Sequence, residues 1–398
     1  MSLKSRKYED STFAPLNPIC IILLGIIGVF FIYSAQYHIG GGQWKSQIVW
    51  MGIGTVAYTT ISLIDYKIWL RYSHWVYILA VILLSLVFVP GLGVERFGAR
   101  RWLNLGVYIL QPVELAKFST IVIAASILTR SEVGGVKDSL QVLVKMALAI
   151  LIPLGLILWQ PDLGSAMTIP PIVFAQLYLS NLSKRFFTTS IAVFFVVVGI
   201  VAFDTFNYYN FLVDNDLSNG RGRYQQTSWV PLHDYQRDRI LTFAAPDKVD
   251  SSGDGWNREQ SMISVGSGGL SGKGWTEGLQ AQLGYLPRNV AHNDFIFSVL
   301  AEETGFLGSV VVISLFGLLL GNGIRIASVA RDRFGTLLVI GVVVLFSVHI
   351  FVNIAMTIGL IPITGLPLPF LSHGGTFMVS CCVLQGLVQS VYRFRKIL

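Results

Sequence analysis

Charge is what this chain has least of. Asp, Glu, Lys and Arg make up 13% of its 398 residues, where a soluble domain carries roughly 25%. With 53% hydrophobic residues and a mean hydropathy of +0.63, a soluble globular protein is excluded and a polytopic membrane protein is indicated. Cysteine is also scarce. Cys20, Cys381 and Cys382 all lie in apolar runs, so neither a disulfide framework nor a zinc spacing is present. No internal repeat stands out, which weighs against an inverted-repeat transporter. The net charge of +7 does not point to nucleic acid, because the basic residues are dispersed at the ends of apolar runs and form no stripe.

What is abundant is long apolar sequence. Stretches of 17–25 mostly apolar residues can cross a bilayer, and about ten occur, near 16–36, 45–64, 73–90, 112–130, 139–158, 162–180, 186–206, 294–322, 334–358 and 374–392. The polar, basic amino terminus precedes a first run that lacks a signal-peptidase site, so this run reads as a mature helix. Lys4, Arg6 and Lys7, then Lys67 and Arg71, Arg130 and Lys137, Lys184 and Arg185, Arg325, Arg331 and Arg333, and finally Arg393, Arg395 and Lys396 all fall on one face when ten spans are drawn. Retention of Lys and Arg in the cytoplasm then places both termini there. The expected fold is an all-α polytopic membrane protein, a single membrane domain over 1–398, with a large extracytoplasmic loop at 207–293 between the seventh and eighth helices.

Two connections on the opposite face break the charge rule. One carries Arg96, Arg100 and Arg101 beside Trp102; the other carries Arg221, Arg223, Arg237, Arg239, Lys248, Arg258, Lys273 and Arg288. Phosphate-bearing lipids or substrates would account for cations there. The same face gathers polar groups at span ends. Glu114 and Lys117 open the fourth span three residues apart on one helical face, Asp162 opens the sixth, Asp294 opens the eighth, and Ser372–His373 precede the tenth. Taken singly, each has a bland reading: a helix-end ion pair for the first two, an N-cap for either aspartate. Together, and with Pro153, Pro170–Pro171 and the Pro362–Pro369 run breaking helices nearby, they predict a polar cavity near the outer leaflet.

Asp294 is the centre of that reading. It lies after His292 and Asn293, where a water-facing loop enters an apolar span, a setting that raises a carboxyl's proton affinity and suits a general base. Glu302 and Glu303 follow inside the same span, and one of them is expected to meet a cavity or a buried cation. The glycines of SVGSGGLSGKG fit neither a Walker loop nor a dinucleotide fingerprint and read as a flexible segment against lipid or substrate. LHDYQRDRILTF, at 232–243, reads as an amphipathic helix lying on the outer leaflet.

In order along the chain, GARRWL with QPVELAK, then QPDLGSA, YQRDRILTF, EQSMISVGSGGLSGKG, HNDFIFSVLAEETGFLG and GLIPITGLPLPFLSHGGTF resemble the SEDS (shape, elongation, division and sporulation) family of bacterial membrane glycosyltransferases. The YQRDRILTF and AEETGFLG segments lie nearer its elongation members than its division members. The resemblance implies a peptidoglycan polymerase of the bacterial inner membrane that uses lipid II, the undecaprenyl-pyrophosphate-linked disaccharide pentapeptide. It implies Asp294 as the catalytic residue, acting as base or as ligand of a divalent cation, Mg²⁺ or Mn²⁺. It also implies substrate-binding roles for Glu114, Lys117, Arg100, Arg101 and Trp102; Asp162, Lys273, His292 and Ser372 complete the expected substrate-binding set. A class B penicillin-binding protein, a transpeptidase, is the implied partner, with the elongation machinery and membrane lipids around it and no nucleic acid. Two departures from the family pattern stand out: Arg288 where it has glutamate, and Asn293 where it has threonine. Two competing readings remain, a flippase for lipid-linked precursors and a non-enzymatic scaffold for the transpeptidase.

Overall fold

The computed structural model describes residues 12–96, 99–104, 106, 109–131, 136–180, 182, 184–215, 223–245, 254–286 and 291–396. Lys4, Arg6, Lys7, Arg221, Lys248 and Arg288 lie outside the described residues, as do the side chains of Arg96, Lys137 and Lys184. Every one of the ten apolar windows carries a helix: α1 (Leu16–Gln36), α2 (Gln43–Leu63), α3 (Lys67–Leu86), α4 (Pro112–Arg130), α5 (Val136–Trp159), α6 (Leu163–Tyr178), α7 (Lys184–Asp214), α11 (Ile296–Ser328), α12 (Arg333–Thr357) and α13 (Gly375–Arg393). Among the described residues, eight helices are long and apolar enough to span a bilayer. The other two are α6, which is apolar but 16 residues long, and α2, whose Gln, Lys, Ser and Thr dilute its hydropathy. The chain is an all-α polytopic membrane protein.

The buried centre is formed by α4, α12 and α13. Small residues bring backbones together there, which in lipid supplies the packing that water exclusion cannot. A Cβ on Gly54 of α2 would meet Sγ of Cys382 at 2.7 Å, and one on Gly386 of α13 would meet the Tyr58 carbonyl at the same distance. Buried amides then tie helices together. Asn17 of α1 donates to Gln385 of α13 at 2.9 Å and accepts from Asn322 of α11 at 2.8 Å.

The connections that build the loop face differ from expectation in three ways. The one after α3 is a small antiparallel sheet, β1 (Gly93–Arg96), β2 (Ala99–Asn104) and β3 (Ile109–Leu110), in that order. Alternation in β2 buries Ala99 and Leu103 while Arg100 stays exposed. The seventh helix continues to Asp214, so the 207–293 loop begins later than its composition suggests. That loop carries three helices of its own: α8 (Asp234–Ala244), α9 (Asp254–Ser267) and the short α10 (Leu279–Gln282).

Helix α8 turns a polar side inward, toward α7. Arg237 is fully buried and bonds Asp204 of α7 at 2.7 Å and Asp234 at 3.2 Å. Its remaining donors reach Ser228 and the Val230 carbonyl. A buried guanidinium satisfied on every side is costly to disturb, so α8 is locked to α7 at a fixed rotation.

The glycine segment docks instead of staying loose. Helix α11 breaks at Gly305 (φ +66°), and the backbone of 268–274 enters the break: Lys273 and Gly274 donate to the carbonyls of Glu302 and Glu303, while Phe306 and Leu307 donate to Gly269 and Leu270. A Cβ at Gly272, itself at φ +80°, would stand 2.1 Å from the Glu303 carbonyl. Glycine is required there by close approach and by backbone conformation together.

Candidate active site

Asp294 precedes α11, whose N-cap is Phe295, so the carboxylate does not cap the helix. Three main-chain carbonyls in a row fix its loop. His373 N donates to His292 O at 3.0 Å, Ser372 Oγ to Asn293 O at 2.6 Å, and Asn353 Nδ2 to Asp294 O at 2.9 Å. Asn353 also donates to Leu366 O at 2.7 Å, which ties the Pro362–Pro369 run to the same point. The Asp294 carboxylate is half-buried over Gly365. Burial pushes its carboxyl up to about 6; Arg239 and then Arg101 pull it back, and Asp162 adds to the rise. A carboxylate that feels two guanidinium charges, with a proton affinity close to neutrality, suits proton abstraction from a hydroxyl.

Arg101 and Asp162 form a pair whose charges act on Asp294. Arg101 faces Asp162 at 3.7 Å and donates to the carbonyls of Gln160 and Pro161. Asp162 also caps α6, accepting from Ser165 N at 3.1 Å, so the bland and the functional readings of this residue hold together. Arg100 points to the rim of the sheet and pairs with Glu95 at 3.2 Å, both exposed. Trp102 is half-buried on β2, paired with Val94.

Glu114 and Lys117 do not lie at a wet helix end. They form a buried pair at 2.7 Å, and Lys117 reaches His349 Nε2 of α12 at 3.2 Å with its ammonium 5.5 Å from the Phe377 ring. The pocket they line has about 10 Å³ of free room, about one water. His349 joins this pair to the active loop: its Nδ1 meets Pro367 O at 3.1 Å, and Asn353 follows one turn along α12. A histidine and an asparagine four apart in an apolar helix were the readable signal for these two residues.

The remaining expected residues divide. His292 lies beside the Asp294 loop, its ring 5.5 Å from that of His373; burial, and then the His373 charge, lower its pKa to about 4. His373 meets Ser46 at 2.9 Å. Ser372 spends its hydroxyl on the backbone, accepting from Leu368 N and donating to Asn293 O. Lys273 pairs with the fully buried Glu302 at 2.6 Å and with Ser267, so the structure assigns it to the glycine-segment joint. Glu303 accepts from Ser34 of α1. Trp256 donates to Tyr285 O at 3.1 Å.

Comparison with known proteins identifies the family. The cell cycle protein family FtsW/RodA/SpoVE matches residues 15–397. The chain belongs to that family. Peptidoglycan glycosyltransferase MrdB of Escherichia coli K12 is 33% identical over 384 residues, covering 96% of this chain and 94% of the relative. A protein named probable peptidoglycan glycosyltransferase FtsW, from Trichlorobacter lovleyi, is 33% identical over 93% of this chain and 91% of its own. Among solved structures, a chain from a peptidoglycan synthase complex that coordinates polymerization and crosslinking superposes with a TM-score of 0.75, at 25% identity, covering 96% of this chain and 98% of that one. The rod shape determining protein RodA of Thermus thermophilus shares the fold, with a TM-score of 0.65 at 24% identity over 96% of this chain and 97% of its own.

The loop that carries Asp294 is irregular backbone held through three consecutive carbonyls. Among the described residues, no three His, Cys, Asp or Glu side chains come together as metal ligands. Asp294, with Arg239 and Arg101 near it, does not form a closed protein cage for a cation. It does suit the single-carboxylate role that Mg²⁺ uses when phosphate oxygens supply its other ligands.

Proposed function

We propose that the chain is a peptidoglycan glycosyltransferase that polymerises lipid II into β-1,4 glycan strands during cell-wall elongation. Its relatives carry that enzyme name. The observation that supports the mechanism is the Asp294 carboxylate, raised to about 6 by burial against the charges of Arg239 and Arg101, on a loop pinned by three hydrogen bonds. In this reading Asp294 accepts the proton of the acceptor sugar's 4-hydroxyl as that oxygen bonds to the donor's anomeric carbon. The carbon–oxygen bond to undecaprenyl pyrophosphate breaks at the same time, and its electron pair leaves on the pyrophosphate, so the anomeric configuration inverts. The guanidiniums offset charge that develops on the leaving group. In the alternative role Asp294 would instead hold a divalent cation, Mg²⁺ or Mn²⁺, which would supply charge neutralisation at the pyrophosphate.

Glu114, Lys117, His349 and Asn353 position the loop; Ser372 does so through Asn293. In this reading the protein lies in a bacterial plasma membrane with its loop face extracytoplasmic and both termini cytoplasmic, an orientation that the dispersed Lys and Arg support. The partner is a class B penicillin-binding protein, a transpeptidase; the structurally similar chain comes from a peptidoglycan synthase complex that coordinates polymerization and crosslinking, which supports this reading. Glycan formation from lipid II by the purified protein with that partner, wild type beside Asp294→Ala, tests the proposal. Polymer from the wild type alone supports it. No polymer from either, in a sample that moves lipid II between leaflets, overturns it in favour of a flippase.

A further inference from the structure

Two arginines outside the expected set flank a cleft beside Asp294. Arg239, Thr242 and Phe243 of α8, Arg258 of α9, and Pro362 and Ile363 line it. The Pro362–Ile363 wall continues directly to Gly365, which faces the Asp294 carboxylate. The cleft and the proposed base therefore share one stretch of backbone. Building on the glycosyltransferase reading, we propose that Arg239 and Arg258 form the cradle for the diphosphate of the lipid-linked donor.

Arg258 has donor capacity to spare. One amino group reaches Gly359 O at 3.3 Å and the guanidinium lies over Phe243, 5.4 Å from its centroid. Its Nε is buried with no hydrogen-bond partner among the described residues, and a buried N–H of this kind costs about 1–3 kcal/mol unless a ligand or water fills it. Arg239 rests over Tyr235 at 5.8 Å. Its orientation is set by its neighbour two residues back. Residues two apart on a helix point roughly 200° apart, so with Arg237 locked into Asp204 and Asp234, Arg239 is held on the opposite side, toward the cleft.

The two arginines of β2 have partners of their own. Arg100 is paired with Glu95, and Arg101 is held by Asp162 and two carbonyls. Free room between the cleft walls is about 10 Å³, so a diphosphate lies across its mouth and presents its oxygens to both guanidinium edges. Two planar forks suit a diphosphate better than a single phosphate, because each can bind one phosphoryl group bidentately.

The test is binding, measured on the full-length protein in detergent with undecaprenyl diphosphate, undecaprenyl monophosphate, inorganic pyrophosphate and phosphatidylglycerol as separate probes. Wild type should hold the diphosphate lipid more tightly than the monophosphate. Arg239→Gln and Arg258→Gln should each weaken it about 10- to 100-fold, the loss of one charge-assisted bidentate contact. Arg239→Lys and Arg258→Lys, which keep charge and fold but not the fork, should fall between. Weakening of inorganic pyrophosphate in parallel would assign the contact to the diphosphate itself. Unchanged diphosphate affinity in folded variants, or an equal loss toward phosphatidylglycerol, overturns the cradle; the latter would mean a general lipid-headgroup site. Polymerisation assayed on the same samples separates the two readings: a wild type that binds through these arginines yet makes no glycan keeps the cradle and loses the polymerase, whereas an active wild type with unchanged binding in the variants does the reverse.

Discussion

The side-chain amide of Asn353 donates to the main-chain carbonyl of Asp294 at 2.9 Å, so the rigid α12 sets the height of the proposed base. The same amide holds Leu366 O. Asn353→Leu removes both donations and leaves buried carbonyls unpaired, at about 1–3 kcal/mol each. Displacement of a reacting group by about 1 Å can cost roughly a hundredfold in rate. Steady-state kinetics on lipid II should show kcat down about 10- to 100-fold with KM little changed. A large rise in KM at constant kcat would mean that Asn353 serves binding instead.

Asp294 gives a pH signature with a defined sign. Its carboxyl is raised from 3.8 to about 6 by burial, against the pull of Arg239 and Arg101. A base works only when ionised, so polymerisation should rise with pH through about 6 and level off above it. Stability moves the other way. Between pH 3.8 and about 6 the folded state holds the proton that the unfolded chain releases, so the stabilising contribution is lost as pH rises through this window. Asp294→Asn should therefore be inactive, melt above wild type at pH 7.5, and show no such advantage at pH 4, as read by thermal unfolding at the two pH values.

Gly272 tests the docking of the glycine segment. Its φ of +80° and the 2.1 Å gap from a built Cβ to the Glu303 carbonyl leave no room for alanine. Gly272→Ala should release the segment from the Gly305 break and expose it to limited proteolysis, while Gly266→Ala, where a Cβ meets nothing within 4 Å, should digest as wild type does.

The membrane class, the ten helical windows and the placing of polar groups at one end were legible because each depends on local composition. Asp294 draws attention for the same reason: a carboxylate at the start of an apolar run stands out. Contacts between distant segments left weaker traces. Glu114 and Lys117 showed their i,i+3 spacing, but nothing local told that His349, 232 residues on, would bury them. The glycine segment read as flexible because its glycines serve a close approach to α11, which only the folded chain supplies. Arg237 and Arg239 look alike in YQRDRILTF; the carboxylate of Asp204 decides which one turns inward.

Lys273 was expected at the substrate, and its partner separates that role from a structural one. Its ammonium lies 2.6 Å from Glu302 Oε1, with Glu302 fully buried and also accepting from Ser264 Oγ and Gln280 N. Removing one member of such a pair strands a charge away from water and costs about 3–5 kcal/mol, whereas removing both is often nearly neutral. Lys273→Met should therefore lower the melting temperature sharply, and Lys273→Met with Glu302→Gln should recover most of the loss. A lysine that binds the substrate behaves otherwise: Lys273→Met would melt like wild type and raise KM, and Glu302→Gln would rescue nothing. Because Glu302 lies in α11, on the rigid side of the Gly305 break, the pair holds the glycine segment against the helix that Asp294 precedes, and activity should return in the double variant in step with its melting temperature.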